Sequence, residues 1–113
     1  METRRLGYNK SIAILDTSAL LLFAEGMASV DDLLDELGVS RLAVPDVVVF
    51  ELQKIALETS KRGRHAQWVL NNVLPMLDLV VTGRRDKPVD KILIEIAKEM
   101  GCILVTADTE LAK

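Results

Sequence analysis

Apolar positions along this chain follow two alternating rhythms. Short, nearly unbroken runs at Ser11 to Leu15 (SIAIL), Arg41 to Val44 (RLAV), Leu77 to Val81 (LDLVV) and Ile103 to Val105 have the length and composition of strands, the first of them fully buried. Between them the spacing turns helical. TSALLLFAE follows Asp16 and breaks at Gly26, and SVDDLLDELG starts on Ser29 as an N-cap, carries Asp31 and Asp32 in its first turn and stops at Gly38. Pro45 and Asp46 mark a turn, after which VVVFELQKIALE continues as a helix despite its β-branched start. Ser60 to Arg64 (SKRGR) reads as a polar, basic interruption, and His65 to Leu74 as a helix ended by Pro75. TGRRDKP reads as a loop. In VDKILIEIAKEM the apolar residues at 89, 92, 93, 96, 97 and 100 predict a helix closed by Gly101, and Asp108 opens a further one.

Strands that alternate with helices imply a central parallel sheet covered on both faces, because parallel neighbours need a long crossover. No repeat, low-complexity tract or linker interrupts the pattern, so residues 1–113 are expected to form one domain. Ligands of such sheets sit beyond the carboxyl ends of the strands. Asp16, Asp90 and Asp108 should lie at that edge, and Glu51 close to it, about one and a half turns into its helix.

Composition narrows the function classes. Half the residues are hydrophobic and 27% are charged, a globular balance. The net charge of −3 offers no general attraction to nucleic acid or anionic lipid, so an anionic partner needs a local basic patch. Cys102 is the only cysteine, which excludes an intrachain disulfide and suits the cytoplasm; inside its apolar run it reads as a buried, inert thiol. No signal-type segment follows the charged METRRLGYNK, and no stretch approaches the roughly 20 apolar residues of a membrane span.

Taken singly, each acid has an ordinary explanation. Asp16, Asp90 and Asp108 could cap helices or favour their positive ends, and Glu51 could pair with Lys54 at i,i+3. Together they are harder to explain, because converging carboxylates repel one another unless a cation compensates them. Mg2+ or Mn2+ suits a set of acids without thiolate or imidazole. The lone His65 has no partner for a zinc motif.

ILDTSALL at 14–21, VPDVVVFELQKIA at 44–56, PVDKILIEIAKEMG at 88–101 and ILVTADTELAK at 103–113 together resemble the PIN-domain ribonucleases, in motif order and spacing. The resemblance is closest to archaeal proteins of the ribosomal-RNA-processing type, and the toxins of VapBC-type toxin-antitoxin pairs are similar. It implies a PIN-like three-layer α/β/α domain. The chain ends at Lys113, before the fifth strand such domains usually have, which leaves it either C-terminally truncated or an unusually short member. The resemblance further implies that Asp16, Glu51, Asp90 and Asp108 form the catalytic, metal-binding set, with Thr17, Ser18 and Thr106 as supporting hydroxyls. Asp16, Asp90 and Asp108 would hold one ion, and Glu51 would help bind a second or orient the attacking water. Where many relatives carry a second acid after the position of Asp90, this chain has Lys91, which lowers the local negative charge.

An acidic protein that cuts RNA must meet the phosphates with local cations. Arg84, Arg85 and Lys87, in the loop after the third strand, are the first candidates, and Lys61, Arg62 and Arg64 the second. Tyr8, Phe23, Phe50 and Trp68 read as core or interface residues, which favours recognition by RNA shape or backbone over stacking. The resemblance leaves a homodimer, an antitoxin and an RNA-processing partner open as assemblies. The competing functions are a toxin nuclease, a non-catalytic PIN module that binds RNA or protein, and a phosphoacceptor domain. For the last, Thr82 and Gly83 stand where an acceptor aspartate would be required.

Overall fold

The computed structural model describes residues 2–5, as backbone, and residues 11–107; Asp108 and Tyr8 lie outside the described residues. Strand β1 (Glu2–Arg5) precedes β2 (Ile12–Leu15), which runs through Asp16 into α1 (Thr17–Ala24) and then α2 (Val30–Leu37). Strand β3 (Arg41–Pro45) leads into α3 (Asp46–Ile55) and α4 (Lys61–Asn72); β4 (Asp78–Val80) is followed by α5 (Val89–Met100) and β5 (Ile103–Thr106).

Among the described residues the sheet order is β1-β5-β2-β3-β4. The four strands expected from the apolar runs pair in parallel, with Ile14 opposite Ala43 and Leu104, and Val44 opposite Leu79. Strand β1 lies antiparallel along the outer edge of β5. The charged sequence ETRR has no alternation to betray a strand, and its place in the sheet comes from the unpaired edge of β5.

Every residue of β2 and β5 is buried, as a strand covered on both faces requires. Ile14, Leu15, Leu104 and Val105 meet Leu20, Leu52, Ile92 and Ile96 from the helices in one core. Helices α1, α3 and α4 pack on one another. The chain steps one way across the sheet from β2 to β4 and then returns past β2 to β5. With right-handed crossovers, that reversal carries α5 to the opposite face. The reversal falls between β2 and β5, where a crevice opens at the carboxyl ends of the strands.

Helix ends follow local chemistry. Ser29 caps α2 through the Asp32 N–H at 3.2 Å, and Gly38 closes it with φ of 67°. The basic SKRGR segment is not an interruption. Ser60 caps α4 through the Gly63 N–H at 3.1 Å, so Lys61, Arg62 and Arg64 occupy the first turn of a helix. Phe23 is buried, whereas Phe50 and Trp68 are 49% and 45% exposed.

Candidate active site

Asp16 ends β2 and caps α1, and its two oxygens are used differently. Oδ1 accepts from the Ala19 N–H and the Ser18 hydroxyl, each at 2.8 Å, while Oδ2 accepts from the Thr106 hydroxyl at the end of β5. The capping role is therefore real but employs one oxygen only. The Asp16 N–H donates to Val105 O at 3.1 Å, and the Ala107 N–H to Ser18 Oγ at 3.0 Å, which ties β2 and β5 together where the chain direction reverses. Ser18 and Thr106 also bring their hydroxyls to 3.2 Å. A carboxylate that is 5% exposed and held by these donors is locked in orientation before any ligand arrives.

Glu51 lies on the sixth residue of α3 and does not pair with Lys54. Its Oε1 accepts from the Thr17 hydroxyl, so Thr17 joins α1 to α3 as Ser18 joins α1 to β5. Asp90 stands in the first turn of α5, exposed, with no hydrogen bond or ion pair among the described residues. Asp16, Glu51 and Asp90 line one cavity of about 280 Å³, together with Thr17, Ser18 and Arg62 over an apolar floor of Leu21, Val89 and Leu93.

That donor set suits a hard divalent cation, being carboxylate and hydroxyl oxygen without sulfur or imidazole. Among the described residues no three acids stand close enough to grip one ion jointly. An ion held by one or two carboxylates and completed by water is the arrangement Mg2+ ordinarily adopts, and it fits this spacing.

The cations divide sharply. Arg84 donates to Glu99 at 2.6 Å and lies 3.6 Å from Glu95, and Lys87 pairs with Glu95, so both are engaged by α5. The hydrogen bonds that Arg84 donates to Glu99 and Lys87 to Glu95 raise both pKa values above their ordinary range. Arg85 instead lies over the Phe50 ring, 4.2 Å from its centroid, and 3.6 Å from Asp46. From the second cluster, Arg62 reaches the acid cavity while pairing with Glu58 at 3.5 Å. Lys61 borders a further cavity with Glu25 and His65, whose other lining residues, Leu21 and Arg62, also line the acid cavity. Among the described residues nothing connects Arg64 to the acids.

Asp46, read from sequence as a turn marker only, anchors the loop that delivers Asp90. Its oxygens accept from the Thr82 hydroxyl at 3.0 Å and the Gly83 N–H at 2.9 Å. Burial opposes its ionisation, but the Gly83 and Thr82 N–H groups, the Thr82 hydroxyl and the Arg85 charge outweigh it and hold the pKa below the ordinary value. The available signal was an aspartate directly after a strand-ending proline, which also suits a helix start. Cys102 is buried and its thiol pKa is raised by burial, in keeping with an inert role. No helix among the described residues is long and apolar enough to cross a membrane.

Comparison with known proteins identifies the family. Residues 13–113 match the family described as PIN like domain. Over 114 aligned positions the chain is 35% identical to Ribonuclease VapC9 of Archaeoglobus fulgidus, an alignment that covers 100% of this chain and 82% of that relative.

Proposed function

The chain belongs to the PIN-like domain family, and we propose that it is a divalent-metal-dependent endoribonuclease whose active site is the cavity between α1, α3 and α5. The observation that carries this reading is the convergence of Asp16, Glu51 and Asp90, from three separate elements, with Arg62 on the wall of the same cavity. Asp16 and Asp90 would hold Mg2+ or Mn2+, with Asp108 completing the set. When bound, such an ion polarises the scissile phosphate and acidifies a bound water.

The protein's own groups do the rest. Ser18, Thr106 and the Ala19 N–H keep Asp16 aimed, so no carboxylate rotation is needed on substrate binding. Thr17 holds Glu51 where its second oxygen can orient the attacking water. Arg62 supplies positive charge to the phosphate, since Glu58 engages it only at the surface. Three basic residues in the first turn of α4 oppose the helix dipole, a local cost that phosphate binding would offset.

RNA is the substrate class. The relation to Ribonuclease VapC9 favours a VapC-type role, with an antitoxin as partner, over processing of ribosomal RNA. Incubating structured and single-stranded RNAs with Mn2+, Mg2+ or EDTA, for the wild type and Asp16→Asn, tests the reading. Cleavage that survives in EDTA, or is unchanged in Asp16→Asn, rules it out. Growth arrest on expression of the wild type but not of Asp16→Asn would support the toxin role; no growth effect would return preference to RNA processing.

A further inference from the structure

Beside the acid cavity lies a second one of about 300 Å³, and the two share Glu51 and Val89 as a common wall. Its remaining lining has a different character: Val47 and Phe50 with Arg85, Lys54 and Lys87. A single exposed phenylalanine needs no explanation. This one precedes Glu51 on α3, leaves 49% of its surface open and carries a guanidinium over its ring. Arg85 is itself steadied by the Arg84 carbonyl at 2.6 Å and by Asp46, so the aromatic and cationic surfaces are fixed before anything binds. Lys54 makes no ion pair among the described residues and adds uncompensated positive charge at the rim.

Resting on the ribonuclease reading, we infer that this second cavity is a nucleotide subsite. A base of single-stranded RNA, next to the scissile phosphate, stacks on the Phe50–Arg85 pair while Lys54 meets the adjoining phosphate. The sharing of Glu51 and Val89 makes the two cavities one track, so a strand with its phosphate among the acids places its neighbouring base here. Aromatic and guanidinium planes stack on unpaired bases, and positive charge follows the backbone. A base inside a duplex cannot enter, so the subsite selects single strands. By residue type alone Phe50 suits a core or an interface, and its place beside Arg85 in this cavity adds base stacking to recognition of backbone and shape.

The test measures KM and kcat in Mn2+ on a short mixed-sequence single-stranded RNA, the same strand with a scanned abasic position, and a duplex. The proteins are the wild type, Phe50→Ala, Phe50→Leu and Phe50→Trp. Phe50→Ala and Phe50→Leu should raise KM for the single strand about 5- to 150-fold, the range that loss of base–aromatic stacking gives. Their kcat should hold, and Phe50→Trp should restore KM. One abasic position should weaken the wild type but leave Phe50→Ala indifferent. An unchanged KM in Phe50→Ala, or an equal loss on duplex and single strand, overturns the inference. Loss of a co-purifying protein with KM preserved overturns it as well and assigns the cavity to a protein partner. If the wild type neither binds nor cleaves RNA, the ribonuclease reading falls and takes the inference with it; cleavage with an insensitive Phe50→Ala sinks the subsite alone.

Discussion

Replacing Gly63 by alanine sets helix propensity against tertiary packing, and the two give opposite signs. In an open helical position, Gly→Ala stabilises by up to about 1 kcal/mol. At Gly63 an added Cβ would fall 2.9 Å from the carbonyl carbon of Glu58, closer still to its oxygen, and 3.1 Å from the carbonyl oxygen of Ile55. These are backbone atoms and cannot swing aside like a side chain. The Glu58 N–H already donates to Ile55 O at 2.9 Å and the Ala56 N–H to Leu52 O at 2.9 Å, so retreat of the turn strains the end of α3. Inserting a carbon into such a contact costs about 1–3 kcal/mol. Net of the propensity gain, the expected loss is up to about 2 kcal/mol, a fall in Tm of up to very roughly 16 °C for a domain near this size. Urea unfolding should show a lower midpoint at unchanged slope. Because Gly63 sets how closely α4 approaches α3, Arg62 should retreat from the cavity and KM for RNA should rise. A Gly63→Ala midpoint equal to or above wild type would refute the packing argument. Gly38→Ala is a useful contrast: no atom crowds its Cβ, yet φ is +67°, so its loss should come from the backbone conformation and leave KM alone.

Arg62→Ala should raise KM for RNA and flatten the salt dependence of binding by roughly 0.7 in log–log slope, the value for one single-strand phosphate contact; Arg84→Ala should do less, because Glu99 and Glu95 already engage that residue. Equal slopes for the two variants would count against Arg62. Asp46→Asn should free the loop of Thr82 and Gly83 and destabilise the fold at neutral pH, by about 1–3 kcal/mol for hydrogen bonds lost from a charged acceptor. The folded pKa of Asp46 lies below its ordinary 3.8, so its contribution is fully present above that value and vanishes as pH falls through the folded pKa. Wild-type and Asp46→Asn stabilities, followed by urea titration from pH 7 downward, should therefore converge below about pH 4; a constant gap would dismiss the ionised carboxylate as the cause. Thr17→Val should lower kcat while KM stays near wild type, since Thr17 positions Glu51 and need not touch RNA. A change in KM alone would assign Thr17 to substrate binding instead.

Strand and helix identities were legible because burial on one face imposes period 2 or 3.6 on the sequence, and turn residues punctuate it. The same logic places Asp16, Glu51 and Asp90 near one edge of the sheet. Misreadings arose where local composition and tertiary environment disagree. SKRGR carries repelling charges and a glycine, poor helix credentials, yet Ser60 caps it and α3 receives Gly63 at close range. ETRR lacks apolar alternation, and its strand exists through an unpaired neighbour. Phe50 and Trp68 suit a core or an interface by type alone, and only the tertiary structure keeps them out of the core.

By itself, then, the sequence determined the alternating architecture and brought Asp16, Glu51 and Asp90 to one edge of the sheet, because both depend on which residue types recur at which spacing. Only the tertiary structure decided that Asp16 divides its oxygens between a helix cap and Thr106, and that Glu51 turns to Thr17 rather than Lys54. It likewise chose Arg62 to enter the acid cavity and Arg84 to be spent on α5. Those choices join residues 15 to 90 positions apart or set neighbouring helices around one cavity, and their energies depend on directions and distances that no local pattern encodes.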